Sequence, residues 1–258
     1  MLDKIIAEKK RYLARVDQKA LMKKWEKILE NGLLSKDFHS AIKKPDEISL
    51  IAEIKKASPS AGILKNNLDV EKMAEIYQKA GADAISVLTE RKFFLGSEND
   101  LMKVKETTSL PILRKDFIID EFQIYESKIL GADCILLIVA ILSKKKLKQF
   151  LQVAQNIGLQ ALAEVHQLKE LEKALDSGAE IIGINNRNLM NFKVNLKTTE
   201  KLVRLIPKGV TKVAESGIGS YKEVKELKDL GVDAVLVGEA IIKNSNPTLK
   251  IKELLGTI

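Results

Sequence analysis

The sequence predicts an α/β protein, a (β/α)8 TIM barrel with an N-terminal helical extension. The first observation is a tripeptide of Gly, Ala or Val, and an acidic residue, which recurs roughly every 50 residues at 81–83, 131–133, 178–180 and 231–233. A short apolar run follows each tripeptide, and a second set of such runs lies midway between them. Glycine ends helices in a left-handed conformation, and near-continuous apolar runs are typical of parallel strands buried on both faces.

Residues 1–47 precede the first predicted strand and form the helical extension. The stretch at 7–32 is amphipathic with helical spacing and contains Trp25, the single tryptophan. We expect this extension to cover the bottom of the barrel, and a role in closing over the top stays open. Residues 48–258 form the barrel as the catalytic domain, so that the whole chain is a single domain.

The eight predicted strands are short apolar runs separated by helical stretches. Between Ile48 and Ile258 there are about 26 residues for each predicted strand. That is the length of one βα unit, which contains a strand, a helix and two turns. Eight such units close naturally into a barrel, whereas an open doubly wound sheet does not require eight. No G-x-G-x-x-G turn follows the first strand. The runs are at 49–55, 84–89, 110–115, 134–139, 159–165, 181–185, 211–216 and 234–238.

The charge pattern disfavours a nucleic-acid partner. Lys and Arg number 43 against 35 acidic residues, a net charge of +8, but the basic residues are scattered and mixed with Glu. The longest basic run, Lys144 to Lys146, follows Ser143 at a predicted helix start. Arginine, which supplies bidentate phosphate and base contacts, is rare. The excess of positive charge therefore favours a small anionic substrate.

Several compositional features bear on location and cofactors. Cys134 is the only cysteine, the start of the chain lacks a signal-peptide pattern, and the longest apolar run is too short to span a bilayer. We therefore expect a cytoplasmic protein with no membrane partner. The two histidines, His39 and His166, form no metal motif, so no metal and no cofactor is expected, and His166 is expected to be a solvated loop residue.

Charged and amide residues end several of the otherwise apolar strands. In a (β/α)8 barrel the chemistry lies at the carboxyl ends of the strands, and residues two apart share a face. A single polar strand end is explained by contact with solvent, but matching polar ends on five strands predict an active-site cluster. The residues are Glu53 and Lys55 on strand 1, Lys115 on strand 3, Glu164 on strand 5, Asn185 at the end of strand 6 with Arg187 two residues further on, and Glu215 and Ser216 at the end of strand 7.

Glycines after strands 7 and 8 predict a phosphate site. Ser216-Gly217 follows strand 7 and Gly238-Glu239 follows strand 8. In this fold the loops after these two strands commonly bind phosphate with backbone N–H groups, and glycine lets the main chain approach closely.

Six segments of the chain resemble indole-3-glycerol phosphate synthase. They occur in the correct order at barrel spacing, and the resemblance extends from about Ile48 to the end of the chain. The segments are EIKKASPSAG at 53–62, LRKDF at 113–117, AEV at 163–165, INNRNL at 184–189, VAESGI at 213–218 and LVGE at 236–239.

The resemblance implies a ring closure in tryptophan biosynthesis. The family converts 1-(2-carboxyphenylamino)-1-deoxyribulose 5-phosphate into indole-3-glycerol phosphate, carbon dioxide and water. The ring carbon that carries the carboxylate attacks the ketone, and decarboxylation and dehydration follow. The implied partner is thus a small phosphosugar-anthranilate substrate, with possible association with other enzymes of the tryptophan pathway.

The resemblance also implies roles for the strand-end residues. Lys115 is the expected general acid, with a pKa lowered toward working pH by a neighbouring cation or partial burial. Glu53, Lys55 and Glu164 share the remaining acid and base steps, and their division stays open. Asn185, Arg187 and Glu215 are expected to bind substrate. Four further residues complete the substrate site, namely Ser58 and Ser60 in the cover loop after strand 1, and Phe94 and Phe117 as walls for the aromatic ring.

Phosphate is expected on Ser216, Gly217, Gly238 and the backbone amide of Glu239. Position 239 departs from some members of the family, which have a small hydroxyl residue there. A carboxylate would repel phosphate at close range, so we expect the Glu239 side chain to turn outward.

Three alternative functions are open, and each predicts a different experimental result. A class I aldolase would form a Schiff base on Lys115 or Lys55, which borohydride traps. A phosphosugar isomerase would tolerate loss of Arg187. A basic binding scaffold would show steeply salt-dependent binding of DNA or RNA.

Overall fold

The computed structural model confirms a closed barrel of eight parallel strands. It describes residues 1–17, 19–21, 23, 25–26, 35–188 and 192–258. Each strand is hydrogen-bonded to the next strand along the chain. The first strand also pairs with the eighth, which closes the barrel. The strands are β1 Ser49–Ile54, β2 Ala84–Leu88, β3 Ile112–Lys115, β4 Cys134–Ile138, β5 Gln160–Val165, β6 Ile181–Asn185, β7 Thr211–Glu215 and β8 Ala234–Val237.

Helices alternate with the strands and cover the outside of the barrel. Of the helices whose bounds lie within the described residues, two precede β1, and a short hairpin of Ala57–Ser58 with Gly62–Ile63 follows it. Within the described ranges, no helix is long and apolar enough to cross a membrane. The helices are α1 Leu2–Leu13, α2 Phe38–Ile42, α3 Val70–Ala80, α4 Glu98–Thr107, α5 Phe122–Ile129, α6 Lys144–Asn156, α7 Leu168–Asp176, α8 Lys197–Val203, α9 Tyr221–Asp229, α10 Glu239–Ile242 and α11 Pro247–Leu255, with a 3-10 turn at Val139–Ile141.

The recurring tripeptide ends a helix and ties the next strand to its neighbour. Its four glycines all have φ between +84° and +99°, the left-handed conformation that a side chain would strain. All four acidic residues directly precede a strand, and three of them bind the neighbouring strand through the side chain. Their carboxylates accept the N–H group of a residue at the start of the neighbouring strand, Asp83 from Leu50 at 2.9 Å, Asp133 from Ile112 at 2.9 Å and Asp233 from Lys212 at 2.7 Å.

Alternation along the strands separates two buried layers. Leu50, Ala52 and Ile54 face the helices, whereas Ile51 and Glu53 between them face the barrel axis. The axial layer is apolar at the bottom and becomes charged at the carboxyl ends. Its apolar members on the strands are Ile51, Ala84, Leu113, Cys134, Leu136, Ile138, Leu162, Ile181, Val213, Ala234 and Leu236.

The N-terminal extension contacts both ends of the barrel. At the bottom, Phe38 and Ile42 of α2 join the axial apolar layer, and the His39 N–H donates to Gln160 at the start of β5. At the top, Lys9 of α1 contacts Asp116, which directly follows β3, at 2.8 Å. The expectation of a bottom cover therefore holds for α2 but is wrong for α1.

The intervening chain is only partly described. The Trp25 ring packs edge-on against Tyr125 of α5, with centroids 5.2 Å apart. Part of the predicted amphipathic stretch, including 27–32, lies outside the described residues.

Lys9 completes a buried charge network beneath the top of β3. Its partner Asp116 also contacts the fully buried Arg114 at 3.1 Å, and Arg114 contacts Glu126 at 2.8 Å. Glu126 in turn accepts the Tyr12 hydroxyl of α1 at 2.9 Å. Helix α1 is thus anchored by two polar contacts to the segment that carries Lys115.

Lys9→Met is expected to lower the free energy of unfolding by about 3 kcal/mol, because it removes one partner of a buried ion pair. The control is Lys10→Met, one residue along the same helix but exposed, for which we expect a change within about 0.5 kcal/mol. Urea denaturation of both variants measures the difference, and equal effects would contradict the anchoring role.

Candidate active site

A cavity of about 640 Å³ opens at the carboxyl ends of the barrel strands. The structure brings every residue of the predicted site to its wall. These are Glu53, Lys55, Ser58, Ser60, Phe94, Lys115, Phe117, Glu164, Asn185, Arg187, Glu215, Ser216, Gly217, Gly238 and Glu239.

The floor of the cavity is built around the ammonium group of Lys115. Its Nζ donates to Glu164 Oε2 at 2.7 Å and to Glu215 Oε2 at 2.8 Å. Strands β3, β5 and β7 supply these residues, so the contact depends on the barrel being closed. All three side chains are buried, and Lys115 is only 9% exposed.

The pKa of Lys115 is raised, which contradicts the expected lowering toward working pH. Burial by itself would lower the pKa of this ammonium group, but the carboxylates of Glu164, Glu215 and Glu53 outweigh it. Lys55, the other lysine of the predicted site, contacts Glu53 at 2.5 Å. Lys115 is therefore a stable cation in this cavity.

Glu164 and Glu215 have opposite pKa shifts although they share one partner. Burial favours a high pKa at Glu164, but Lys115 and His166 outweigh it and lower the pKa. Burial together with the charges of Glu164 and Glu53 raises the pKa of Glu215 to about 7, against the opposing effect of Lys115. Two carboxyl groups whose pKa values are driven apart are suited to separate base and acid roles.

Two glycines leave space for the carboxyl groups of Glu215 and Glu53. A Cβ at Gly183 would lie 2.2 Å from Glu215 Oε1, and a Cβ at Gly238 would lie 2.6 Å from Glu53 Oε1. Gly238 was predicted for phosphate, and its packing against Glu53 was missed. Gly183 was also missed, although an isolated glycine inside a strand is a known signal of close approach.

One wall of the cavity is apolar. The Phe94 and Phe117 rings lie with centroids 6.1 Å apart and planes tilted by 40°. Leu136 and Ile138 of β4 continue this wall. Sequence reasoning missed these two residues, although their alternate positions on β4 would have indicated that they face the axis.

The opposite side carries Arg187 beneath the hairpin that follows β1. Its guanidinium donates to Ser60 Oγ at 3.1 Å, and its backbone N–H donates to Asn185 Oδ1 at 2.9 Å. Ser58 Oγ lies 3.3 Å from Ser60 Oγ. A cation from the loop after β6 thus contacts the hairpin across the mouth of the cavity.

The loops after β7 and β8 form the region predicted for phosphate. Ser216 and Gly217 both have positive φ, at 69° and 78°. The N–H groups of Gly219 and Ser220 donate to Glu223 at 2.8 and 2.9 Å. Glu223 also lines the cavity and was not predicted.

The expected outward turn of Glu239 is wrong. One carboxylate oxygen lies 3.5 Å from Arg187, and the other accepts from Lys243 at 2.6 Å. Lys243, one helical turn beyond Glu239, was missed by the sequence reasoning. The i, i+4 spacing of opposite charges was the signal that could have found it.

The expectation that His166 is solvated is also wrong. Its side chain is 12% exposed and lies between Glu164 and Glu170. Among the described residues, no group of three or more His, Cys, Asp and Glu is arranged to hold a metal.

The closed barrel and its charged mouth define the class, a TIM-barrel protein with acid–base groups at the strand ends. The family model of indole-3-glycerol phosphate synthase matches residues 2–254. The indole-3-glycerol phosphate synthase of Acetivibrio thermocellus is 50% identical over 255 residues, covering 98% of this chain and 98% of that protein. That of Thermoanaerobacter pseudethanolicus is 47% identical over 257 residues, covering 99% and 97%. The chain belongs to the indole-3-glycerol phosphate synthase family.

Solved structures agree on the fold alone. The 3-hexulose-6-phosphate synthase of Salmonella typhimurium matches with a TM-score of 0.65 at 17% identity, covering 81% of this chain and 97% of that one. Thiamine phosphate pyrophosphorylase from Pyrococcus furiosus gives 0.60 at 20% identity, covering 80% and 93%.

The raised pKa of Glu215 predicts a pH-dependent cost in stability. The unfolded chain releases this proton near pH 4.5 and the folded protein near pH 7, so stability falls as the pH rises through that interval. Glu215→Gln removes the ionisation. We expect its Tm to match the wild type near about pH 4 and to exceed it near about pH 8.

The control is Glu200→Gln, which replaces an exposed carboxylate on α8. Its Tm is expected to follow the wild type at both pH values. A Tm difference for Glu215→Gln that does not change with pH would contradict a titration of Glu215 near neutrality.

Proposed function

We propose that this chain catalyses the ring closure of 1-(2-carboxyphenylamino)-1-deoxyribulose 5-phosphate to indole-3-glycerol phosphate, with loss of carbon dioxide and water. Membership of the indole-3-glycerol phosphate synthase family makes it a carboxy-lyase of tryptophan biosynthesis. The observation that carries the residue assignments is the Lys115 ammonium held between two carboxyl groups whose pKa values are shifted in opposite directions.

The cavity offers complementary surfaces to the parts of this substrate. Phe94, Phe117 and the apolar residues of β4 suit the aromatic ring. Arg187 suits a substrate carboxylate or the phosphate, because a guanidinium can bind either with two parallel hydrogen bonds. Phosphate would lie near Ser216, Gly217, Gly238 and the backbone amide of Glu239, where the main chain borders the cavity.

The first step needs a proton at the ketone oxygen. As the ring carbon attacks, the carbonyl electron pair moves to that oxygen, which becomes far more basic than the ketone. Lys115 can protonate this developing alkoxide even though its pKa is raised. Glu215, whose pKa of about 7 leaves it partly protonated at neutral pH, would then return a proton to Lys115.

The later steps need a base and a second acid. Departure of carbon dioxide leaves the bonding electrons in the ring and restores its aromaticity. The hydroxyl leaves as water after a second protonation, for which the pair of Lys55 and Glu53 is the candidate. As the C–O bond breaks, the carbon beside the nitrogen must lose a proton so that its C–H electrons form the new double bond of the ring. Glu164 is the proposed base for this proton, because its lowered pKa keeps it ionised at neutral pH.

The charge state of Lys115 disfavours the aldolase alternative. A Schiff base forms from the neutral amine, and the surrounding carboxylates raise the pKa of Lys115 and keep it protonated. Borohydride is therefore expected to leave Lys115 unlabelled in the presence of a keto-phosphate.

A cytoplasmic location and association with other tryptophan-pathway enzymes belong to the same proposal. They follow from the biosynthetic role of the family and not from a feature of this site.

The direct test is the appearance of indole fluorescence when the purified protein meets the carboxyphenylamino-deoxyribulose phosphate. We expect Lys115→Ala to reduce kcat at least about a hundredfold, the lower end of what a positioned general acid contributes. The control is Lys148→Ala on the exposed face of α6, which is expected to keep full activity. No fluorescence with the wild type would contradict the proposed function, and full activity in Lys115→Ala would contradict the assigned acid.

The Glu239 carboxylate is expected to compete with substrate phosphate for Arg187. Glu239→Ser should therefore lower KM about fivefold with little change in kcat, as for a partly exposed charge contact worth about 1 kcal/mol. Lys243→Met should raise KM, because it leaves Glu239 without its other partner. In the double variant the effect of Lys243→Met should disappear, and additive effects in this kinetic cycle would contradict the coupling.

A further inference from the structure

His166 lies directly after β5 with both ring nitrogens facing carboxylates. Its Nδ1 is 3.1 Å from Glu170 Oε2, and its backbone N–H donates to the same oxygen at 2.8 Å. Its Nε2 is 3.4 Å from Glu164 Oε1, an ion-pair distance, and makes no hydrogen bond within the part of the chain that the structure describes. The ring thus bridges α7 and the floor of the cavity.

This arrangement suits the imidazolium form. A neutral imidazole donates from only one nitrogen, so its other nitrogen would present a lone pair to a carboxylate, whereas the cation presents an N–H on both sides. Burial favours a lower pKa for His166, but Glu170, Glu164 and Glu215 outweigh it and raise the pKa. Lys115 lies beyond Glu164, on the opposite side from the imidazole.

Glu170 is itself held in place. Its second oxygen accepts from Gln167 Nε2 at 2.9 Å, and the residue lies in the first turn of α7. An acidic side chain that bonds back to residues at a helix start is a stable local arrangement. The imidazole therefore rests on a fixed carboxylate on one side and reaches Glu164 with the other.

We propose that His166 is a positioning residue for Glu164. The imidazolium faces Oε1 while Lys115 binds Oε2, so the carboxylate is held in one orientation and kept ionised for its role as base. His166 is not among the described residues that line the cavity, so it acts through Glu164 and does not touch substrate. The inference rests on the proposed function, in which Glu164 is the base.

The first test requires no turnover. The chain has two histidines, so proton NMR of the imidazole signals resolves them, and His39→Asn assigns the pair. We expect His166 to titrate above its ordinary value of 6.5, and its pKa to fall by about one unit in Glu164→Gln and in Glu170→Gln. Titration at 6.5 that is unchanged in Glu164→Gln would overturn the proposal.

The second test is the pH profile of kcat for fluorescent product. His166→Asn removes a cation beside Glu164, so the pKa of Glu164 should rise and the acid limb should move up by about one pH unit. Substrate KM should change little, because His166 lies outside the cavity wall. Glu170→Gln should move the limb in the same direction by less, and His39→Asn should leave the profile unchanged.

The two tests separate the possible failures. Loss of kcat by the same factor at every pH in His166→Asn would indicate a merely structural role and overturn the proposal. Absence of product with the wild type would instead remove the proposed function and with it the role of Glu164 as base. The NMR titration would still report whether His166 and Glu164 are electrostatically coupled.

Discussion

The contact of the Lys115 ammonium with two buried carboxyl groups is the interaction on which the rest of the site depends. Three buried ionisable side chains at the barrel mouth are costly unless each has a partner. Their contact requires strands β3, β5 and β7 to end at the same height, which only the closed barrel ensures. It also requires Gly183, because a side chain there would occupy the position of Glu215. The contacts of Lys115 therefore form only when the sheet closes.

The two ends of the barrel hold acidic residues in different environments. At the amino ends, acidic residues of the recurring tripeptide pair with backbone N–H groups of neighbouring strands, where they favour the register of the sheet. At the carboxyl ends, burial and the charges of Glu164 and Glu53 raise the pKa of Glu215 to about 7, against the opposing effect of the Lys115 ammonium. The N-terminal extension supports both ends, with α2 beneath the axial core and α1 anchored to Asp116 beside Lys115.

Much of the fold and of the cavity wall could be predicted from the sequence because local signals were strong. All eight predicted apolar runs became barrel strands within two residues of their expected bounds, since buried parallel strands and left-handed glycines leave clear patterns. Alternation placed Glu53, Lys115 and Glu164 on the axial face. The location of α1, the burial of His166 and the contacts of Glu239 were predicted wrongly, because each depends on a residue far along the chain or on a neighbouring helix turn.

The sequence by itself determined the barrel, the end at which the polar residues gather and the residue types that meet there. These features follow from the periodicity of apolar and polar residues, which is a local property and can be read directly from the sequence. Only the tertiary structure decided the charge states. Lys115, expected to have a lowered pKa, has a raised one, because its pKa depends on the distances to three carboxylates supplied by three other strands. Coulomb energy varies with the distance between charges and with their burial, and neither quantity can be read from the sequence.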